Sequence, residues 1–455
     1  MLLRFSIENF RSFKDRADFS MVATRIGEHS DEHIVKLGEL KVLRTAAIYG
    51  ANASGKSNLL LGMAFMSSFI NRSATRYQKG DRIPVEPFLL SSETEDQPSL
   101  FEVTFLHSGQ IFTYGFTVST ERVLSEWLDI AGTRSKRLFN REKEEVEFHH
   151  SYADRSLYDQ LRKSTELRSN ALLLPVLAQF GGIRSSDIMD WFQKWRRLPD
   201  IGSLYSASTV RKLLSDEEFS KSLTRILQGA GIDVEAIGLA EEQSIEQDLK
   251  LDVRITVPEV RSILENSRPP LAQVRTLHKK FDSNLSPVDS VSFSMAENES
   301  QGTRKLFVLL LPVLSALQEG FTLFADELDA SLHPLLTRFI LNFFHSSGKT
   351  RGQLIFATHD SNLLDRRIFR RDEIWFAEKD RYGASHIYSL VEYEPSPNKK
   401  VRKDASYEKD YLEGRYGAIP FLNSNENLFN GAKITTGRKS TKKSRNSTRL
   451  PEPTS

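Results

Sequence analysis

Apolar positions near the start of the chain alternate, with Leu3, Phe5 and Ile7 on one face of a half-buried strand before a turn through Asn9-Phe10-Arg11-Ser12-Phe13. A second apolar run, Ala46-Ala47-Ile48-Tyr49, leads into a glycine-containing loop, after which Leu59, Leu60, Met63, Ala64 and Met66 to Phe69 follow helical spacing. From Pro84 to about Phe148 the pattern is strand-like. Phe101 to Phe105 and Ile111 to Phe116, separated by His107-Ser108-Gly109-Gln110, predict an antiparallel hairpin. Residues 151–235 turn Leu- and Arg-rich at helical spacing around Leu157, Leu161, Leu172 and Trp191, and strands return near Leu251. From Ser300 onward helices alternate with buried strands, the pattern of a doubly wound sheet.

These patterns predict an α/β protein with four parts. Residues 1–150 form the first half of a nucleotide-binding core with an antiparallel β lobe. Residues 151–290 form a mostly helical insertion ending in strands, 291–430 the second half of the core, and 431–455 a polar disordered tail. At 455 residues the chain exceeds what one core usually serves. No heptad run supports a coiled-coil arm.

Composition narrows the picture. Apolar runs such as Leu306 to Leu314 are too short to span a bilayer, and the N-terminus lacks the continuous apolar region and cleavage site of a signal peptide, so a cytoplasmic location is expected. With no cysteine, a disulfide framework and thiol chemistry are excluded. The overall charge of +2 hides a basic tail with Lys433, Arg438, Lys439, Lys442, Lys443, Arg445 and Arg449 against the single acid Glu452. The rest is therefore slightly acidic, unlike a body built chiefly to grip nucleic acid.

The chemistry sits in short motifs. Gly50-Ala51-Asn52-Ala53-Ser54-Gly55-Lys56-Ser57, followed by Asn58, fits a P-loop between a buried strand and a helix. Its glycines let backbone N–H groups face phosphates at a helix N-terminus, Lys56 reaches the β- and γ-phosphates of ATP, and the Ser57 hydroxyl is a Mg²⁺ ligand. Phe321 to Ala325 is an apolar strand ending in Asp326, the second Mg²⁺ ligand, and Glu327, placed to act as general base on the attacking water. Ser300-Gln301-Gly302 opens a helix that Pro312 should kink, and resembles the ABC signature, whose Ser300 and Gly302 would contact ATP held by the opposite subunit. Leu328 to Pro334, including Asp329, resembles a D-loop, and His359 ends another buried strand in a switch-histidine position, able to bond the γ-phosphate or the water.

Taken in order, these motifs resemble the RecF/SMC branch of ABC ATPases, and more closely the ABC-like AAA-family proteins of bacterial abortive-infection and restriction-linked loci, of the AbiLi and RloA kind. Arg370 to Phe376 and Lys409 to Pro420 extend the resemblance, which covers Met1 to about Pro420. It implies an ABC-type head, ATP and Mg²⁺ as ligands, a homodimer or higher even oligomer, and Arg11 near the phosphates. It also implies a regulatory role over a separately encoded effector, such as a Toprim-like nuclease. A Q-loop glutamine falls on Gln97 or Gln110, with nothing to choose between them. The alternative is a repair or chromosome-binding ATPase that grips duplex DNA itself, which the acidic body and missing arm disfavour. A nuclease within this chain is disfavoured by the absence of an Asp-x-Asp pair after His359. Residues 150–235 and Tyr407 to Pro420 are expected to lie outside the ATP site and to offer surfaces that read its state; the alternative for the helical stretch is a longer lobe that completes the core.

Overall fold

The computed structural model describes residues 1–419 except 133, 165–166, 199–205, 241–269, 330–331, 349, 395–400 and 403–404. The basic tail, Pro420 and the strand pattern near Leu251 lie outside the described residues.

Two large sheets carry the described chain. One has seven antiparallel strands, in the order Glu145–Phe148, Lys136–Glu142, Val123–Ile130, Gln110–Val118, Ser99–His107, Leu2–Glu8, Ala17–Ser20. The hairpin expected from the 101–116 pattern closes on Ser108 and Gly109, both at positive φ (48° and 76°), which matches the twist of paired strands. The second sheet runs Trp195–Arg197, Thr322–Ala325, Gln353–Ala357, Thr45–Tyr49, Ile374–Lys379, Ser385–Ser389, parallel except for its last strand.

Strand periodicity places this second sheet between two cores. Ala46, Ile48, Phe324, Ile355, Ala357, Trp375 and Ala377 point into one cluster with the seven-stranded sheet and the helix Lys56–Arg72. Their neighbours Ala47, Tyr49, Leu323, Ala325, Leu354, Phe356, Ile374 and Phe376 point into another with the helices Gln301–Glu319 and Pro334–Ser346. A parallel sheet covered on both faces explains why its strands read as continuous apolar runs.

The helix Gln301–Glu319 continues through Pro312, which is buried along with Leu311 and Val313, and that packing offsets the lost backbone bond. Two expectations change. The 150–235 stretch is not set apart from the nucleotide core. Helices Leu173–Gln179 and Ile183–Gln193 bury Leu174, Leu177, Ile188 and Trp191 in the first cluster, and Trp195–Arg197 then pairs in parallel with the 322–325 strand. Tyr407 to Ile419 also packs inward: Tyr411 lies 5.6 Å from the Phe376 ring and 6.2 Å from Tyr49, at the end of the P-loop strand. Among the described residues, no helix is long and apolar enough to cross a membrane.

Candidate nucleotide site

Register aligns the chemistry at one rim of the parallel sheet. Ala325 faces Phe356, which faces Ala47, so the chain leaves three adjacent strands at nearly the same level through Asp326-Glu327, Thr358-His359 and Gly50. The Leu328 amide donates to Ala357 and the Thr358 amide to Ile48, extending this alignment past the strands. Ligands bind at such carboxyl ends of parallel strands.

The P-loop is built from backbone that few residues tolerate. Gly50 has φ 153°, Ala53 62° and Gly55 115°. A Cβ on Gly50 would lie 2.3 Å from the Ala377 carbonyl oxygen, and one on Gly55 2.4 Å from Ser385 Oγ, so glycine is required at both. Asn52, Ala53 and Ser57 are exposed at the mouth, while Ser54, Gly55 and Lys56 are buried. Ser54 Oγ has no hydrogen-bond partner among the described residues.

Lys56 Nζ donates to the carbonyls of Gly50 (2.8 Å) and Ala51 (2.9 Å) within its own loop. Burial pushes its ammonium down to about 8, against the opposing pull of Asp326, Glu327 and Asp329. Those three carboxylates therefore act electrostatically on the P-loop lysine. Glu327 is exposed and adopts φ 49°, a left-handed conformation uncommon for a side chain of its length.

Behind the rim lie polar atoms without partners. Tyr49 Oη, Asp329 Oδ1 and Asp360 Oδ2 are buried and make no hydrogen bond among the described residues. Burial, then Asp360 and Asp329, hold the Tyr49 phenol well above its usual range. Asp360 and Tyr49 were absent from the sequence-derived site; their only signal was adjacency to His359 and Gly50. His359 itself is exposed.

Several other expected residues have partners of their own. Ser300 caps the helix Gln301–Glu319, its Oγ accepting from the Thr303 amide at 3.0 Å, and no hydrogen bond joins it to the P-loop. A Cβ on Gly302 would meet only Ser300 Oγ, at 3.7 Å. Arg11, at φ 52°, pairs with Glu86 at 2.9 Å. Asn58 donates to Ser12 Oγ at 2.7 Å. Gln110 accepts from Arg184 at 3.2 Å, while the Gln97 carbonyl accepts from Asn9 at 2.8 Å; neither reaches the P-loop through these bonds.

The Ser57 hydroxyl and the Asp326 carboxylate are oxygen donors, the ligand chemistry that a hard cation such as Mg²⁺ takes. Another group that could hold a metal, His33, His345 and Glu373, has its ligand atoms within 4.8 Å of one another. Its atoms are already committed: His33 Nδ1 lies 2.7 Å from Glu373 Oε2, and Thr45 Oγ1 donates to Glu373 Oε1 at 2.7 Å and lies 2.8 Å from His345 Nε2.

A family described as "AAA domain, putative AbiEii toxin, Type IV TA system" matches residues 46–365, from the P-loop strand to beyond His359. The chain belongs to this AAA family. No curated protein matches it. Among solved structures it is similar to an SMC head domain from Thermotoga maritima, at 12% identity over 85% of this chain and 98% of that one, with a TM-score of 0.39. It is also similar to an SmcHead bound to the C-winged helix domain of ScpA, at 15% identity over 85% of this chain and 97% of that one, with a TM-score of 0.38.

Proposed function

We propose that this AAA-family chain binds and hydrolyses ATP, completes its sites between two copies, and uses the cycle to regulate a separately encoded effector. The observation that carries the ATPase reading is the register that ends three adjacent parallel strands at one rim, so that Asp326-Glu327 and Thr358-His359 leave the sheet level with the P-loop and its buried Lys56. The P-loop amides and Lys56 bind the phosphates, and Lys56 exchanges its two loop carbonyls for phosphate oxygens. Ser57 and Asp326 would hold Mg²⁺, which supplies charge neutralisation on the β- and γ-phosphates. Glu327 accepts a proton from the attacking water, and His359 bonds the γ-phosphate or that water.

Shared sites follow from what this chain leaves open. Ser300 and Gly302 stand at a helix N-terminus with space beside Gly302, and no hydrogen bond ties them to their own P-loop. A second copy's γ-phosphate fits there. Mixing a Lys56→Ala protomer with a Ser300→Arg protomer should rebuild one intact site per heterodimer. Zero recovered ATPase in a verified mixed dimer would show that each chain works alone.

The effector reading rests on the family's toxin–antitoxin description and on chemistry that ends at phosphoryl transfer to water. A nucleotide-driven closing and reopening of the dimer is the two-state element such a partner reads. Phage challenge with this chain alone, and with its neighbouring gene, tests it. Full protection by the chain alone would sink the partner model.

A further inference from the structure

A serine from the N-terminal turn reaches the P-loop helix. Ser12, within the turn closed by the Phe10 and Phe13 bridge, is buried, and its hydroxyl accepts from Asn58 Nδ2 at 2.7 Å and from Ser385 Oγ at 2.8 Å. The Ser385 amide also donates to the Ser12 carbonyl at 2.7 Å. Three elements far apart in sequence meet here: the 9–13 turn beside the antiparallel sheet, the helix Lys56–Arg72, and the edge strand Ser385–Ser389.

Gly55 lies directly against this trio. A Cβ built on it would stand 2.4 Å from Ser385 Oγ and 3.2 Å from Ser12 Oγ, so the backbone rests on the two hydroxyls. Gly55 is also the N-cap of the helix, at φ 115°, with no side chain to satisfy the first-turn amides. Those amides are the donors that a phosphate needs, and their direction is set by the Gly55 dihedral.

We propose that Ser12 and Ser385, acting through Asn58 and Gly55, are positioning residues for phosphate binding: a latch that fixes the N-terminus of the P-loop helix in its anion-binding arrangement. This rests on the reading of the rim as an ATP site. It gives Asn58 a role in holding Ser12 rather than in touching nucleotide. It also ties the antiparallel lobe to the phosphate site through one hydroxyl, so that a shift of the 9–13 turn alters nucleotide affinity.

The test uses the full chain, with a fluorescent ATP analogue for Kd, steady-state ATPase for kcat, and thermal melting for folding. Ser12→Ala strands the Asn58 amide and removes the Ser385 acceptor. A net hydrogen-bond loss corresponds to about a 3- to 10-fold rise in Kd, with kcat at saturating ATP changed by less than about twofold. Ser385→Ala should give a similar rise and carries the test if Ser12→Ala does not fold. Because the two act through one contact, the double variant should weaken binding no more than the worse single variant. Wild-type affinity in both single variants, or fully additive losses in the double, would overturn the latch. Absence of ATP binding by the wild-type chain would instead overturn the reading of the site.

Discussion

The two ends of the parallel sheet treat their buried acidic groups differently. At the end away from the P-loop, Glu373 accepts from His33, from the Thr45 hydroxyl and from the Arg370 amide, and the rings of His33 and His345 stack at 3.6 Å. Burial, with His33 and Arg44 nearby, holds His345 well below its usual range. Gln353 there bonds the backbone of Leu2 and Leu43, and Arg370 pairs with Asp372. At the P-loop end, Ser54, Tyr49, Asp329 and Asp360 each leave a buried polar atom without a partner, and Glu327 is strained. The first end still leaves the nitrogens Arg44 Nε, Trp195 Nε1 and Trp375 Nε1 without partners. The carboxylate oxygens of Glu373 and Asp372 are all bonded there, however, whereas the P-loop end leaves carboxylate and hydroxyl oxygens open. In their acidic groups the first is the satisfied end and the second a place awaiting ligand. Shared strands make each end a control for the other.

The largest expected effect separates two residues of the unsatisfied end. Lys56→Ala should abolish measurable ATP binding, whereas Glu327→Gln should keep binding and lower hydrolysis by about 10²- to 10⁴-fold, as expected for loss of a general base. Equal losses of affinity, measured by direct nucleotide titration, would contradict these roles.

At the satisfied end, Glu373→Ala strands His33, Thr45 and an amide. It should cost about 3–5 kcal/mol in chemical denaturation, with the folded fraction binding ATP as the wild type does. A variant of full stability but without ATP affinity would erase the contrast between the ends.

A smaller effect comes from titration. The free Lys56 titrates at about 8, and phosphate favours its charged form, so its bound value is higher. ATP affinity should be flat in this group below pH 8 and fall by up to about tenfold per unit above it, until the bound lysine also titrates. A flat profile from pH 7 to 10 would mean that Lys56 is not buried as described.

The smallest effect is Tyr49→Phe. Removing a hydroxyl that has no partner should leave stability unchanged or raise it by about 1 kcal/mol, since nothing is stranded. A loss above about 2 kcal/mol would reveal an acceptor for that hydroxyl and make the two ends alike.

By itself the sequence determined the elements whose signal is contiguous. The P-loop, the apolar strand ending in Asp326-Glu327, and the strand ending at His359 each need only neighbouring residues, because strand, turn and helix N-terminus are local structures. Only tertiary structure decided which distant residues support them. Ser12 and Ser385 are 373 positions apart and meet because one closes a turn and the other borders the P-loop strand's sheet. Trp195–Arg197 is a three-residue strand, too short for any period, and the sheet edge beside Thr322–Ala325 defines it. Pro312 stays helical because tertiary burial overrides local propensity, and Arg11 faces Glu86 because the 9–13 turn takes left-handed backbone at Asn9 and Arg11. Motifs carry chemistry along the chain, but direction, strain and partnership arise only when separate segments are packed against one another.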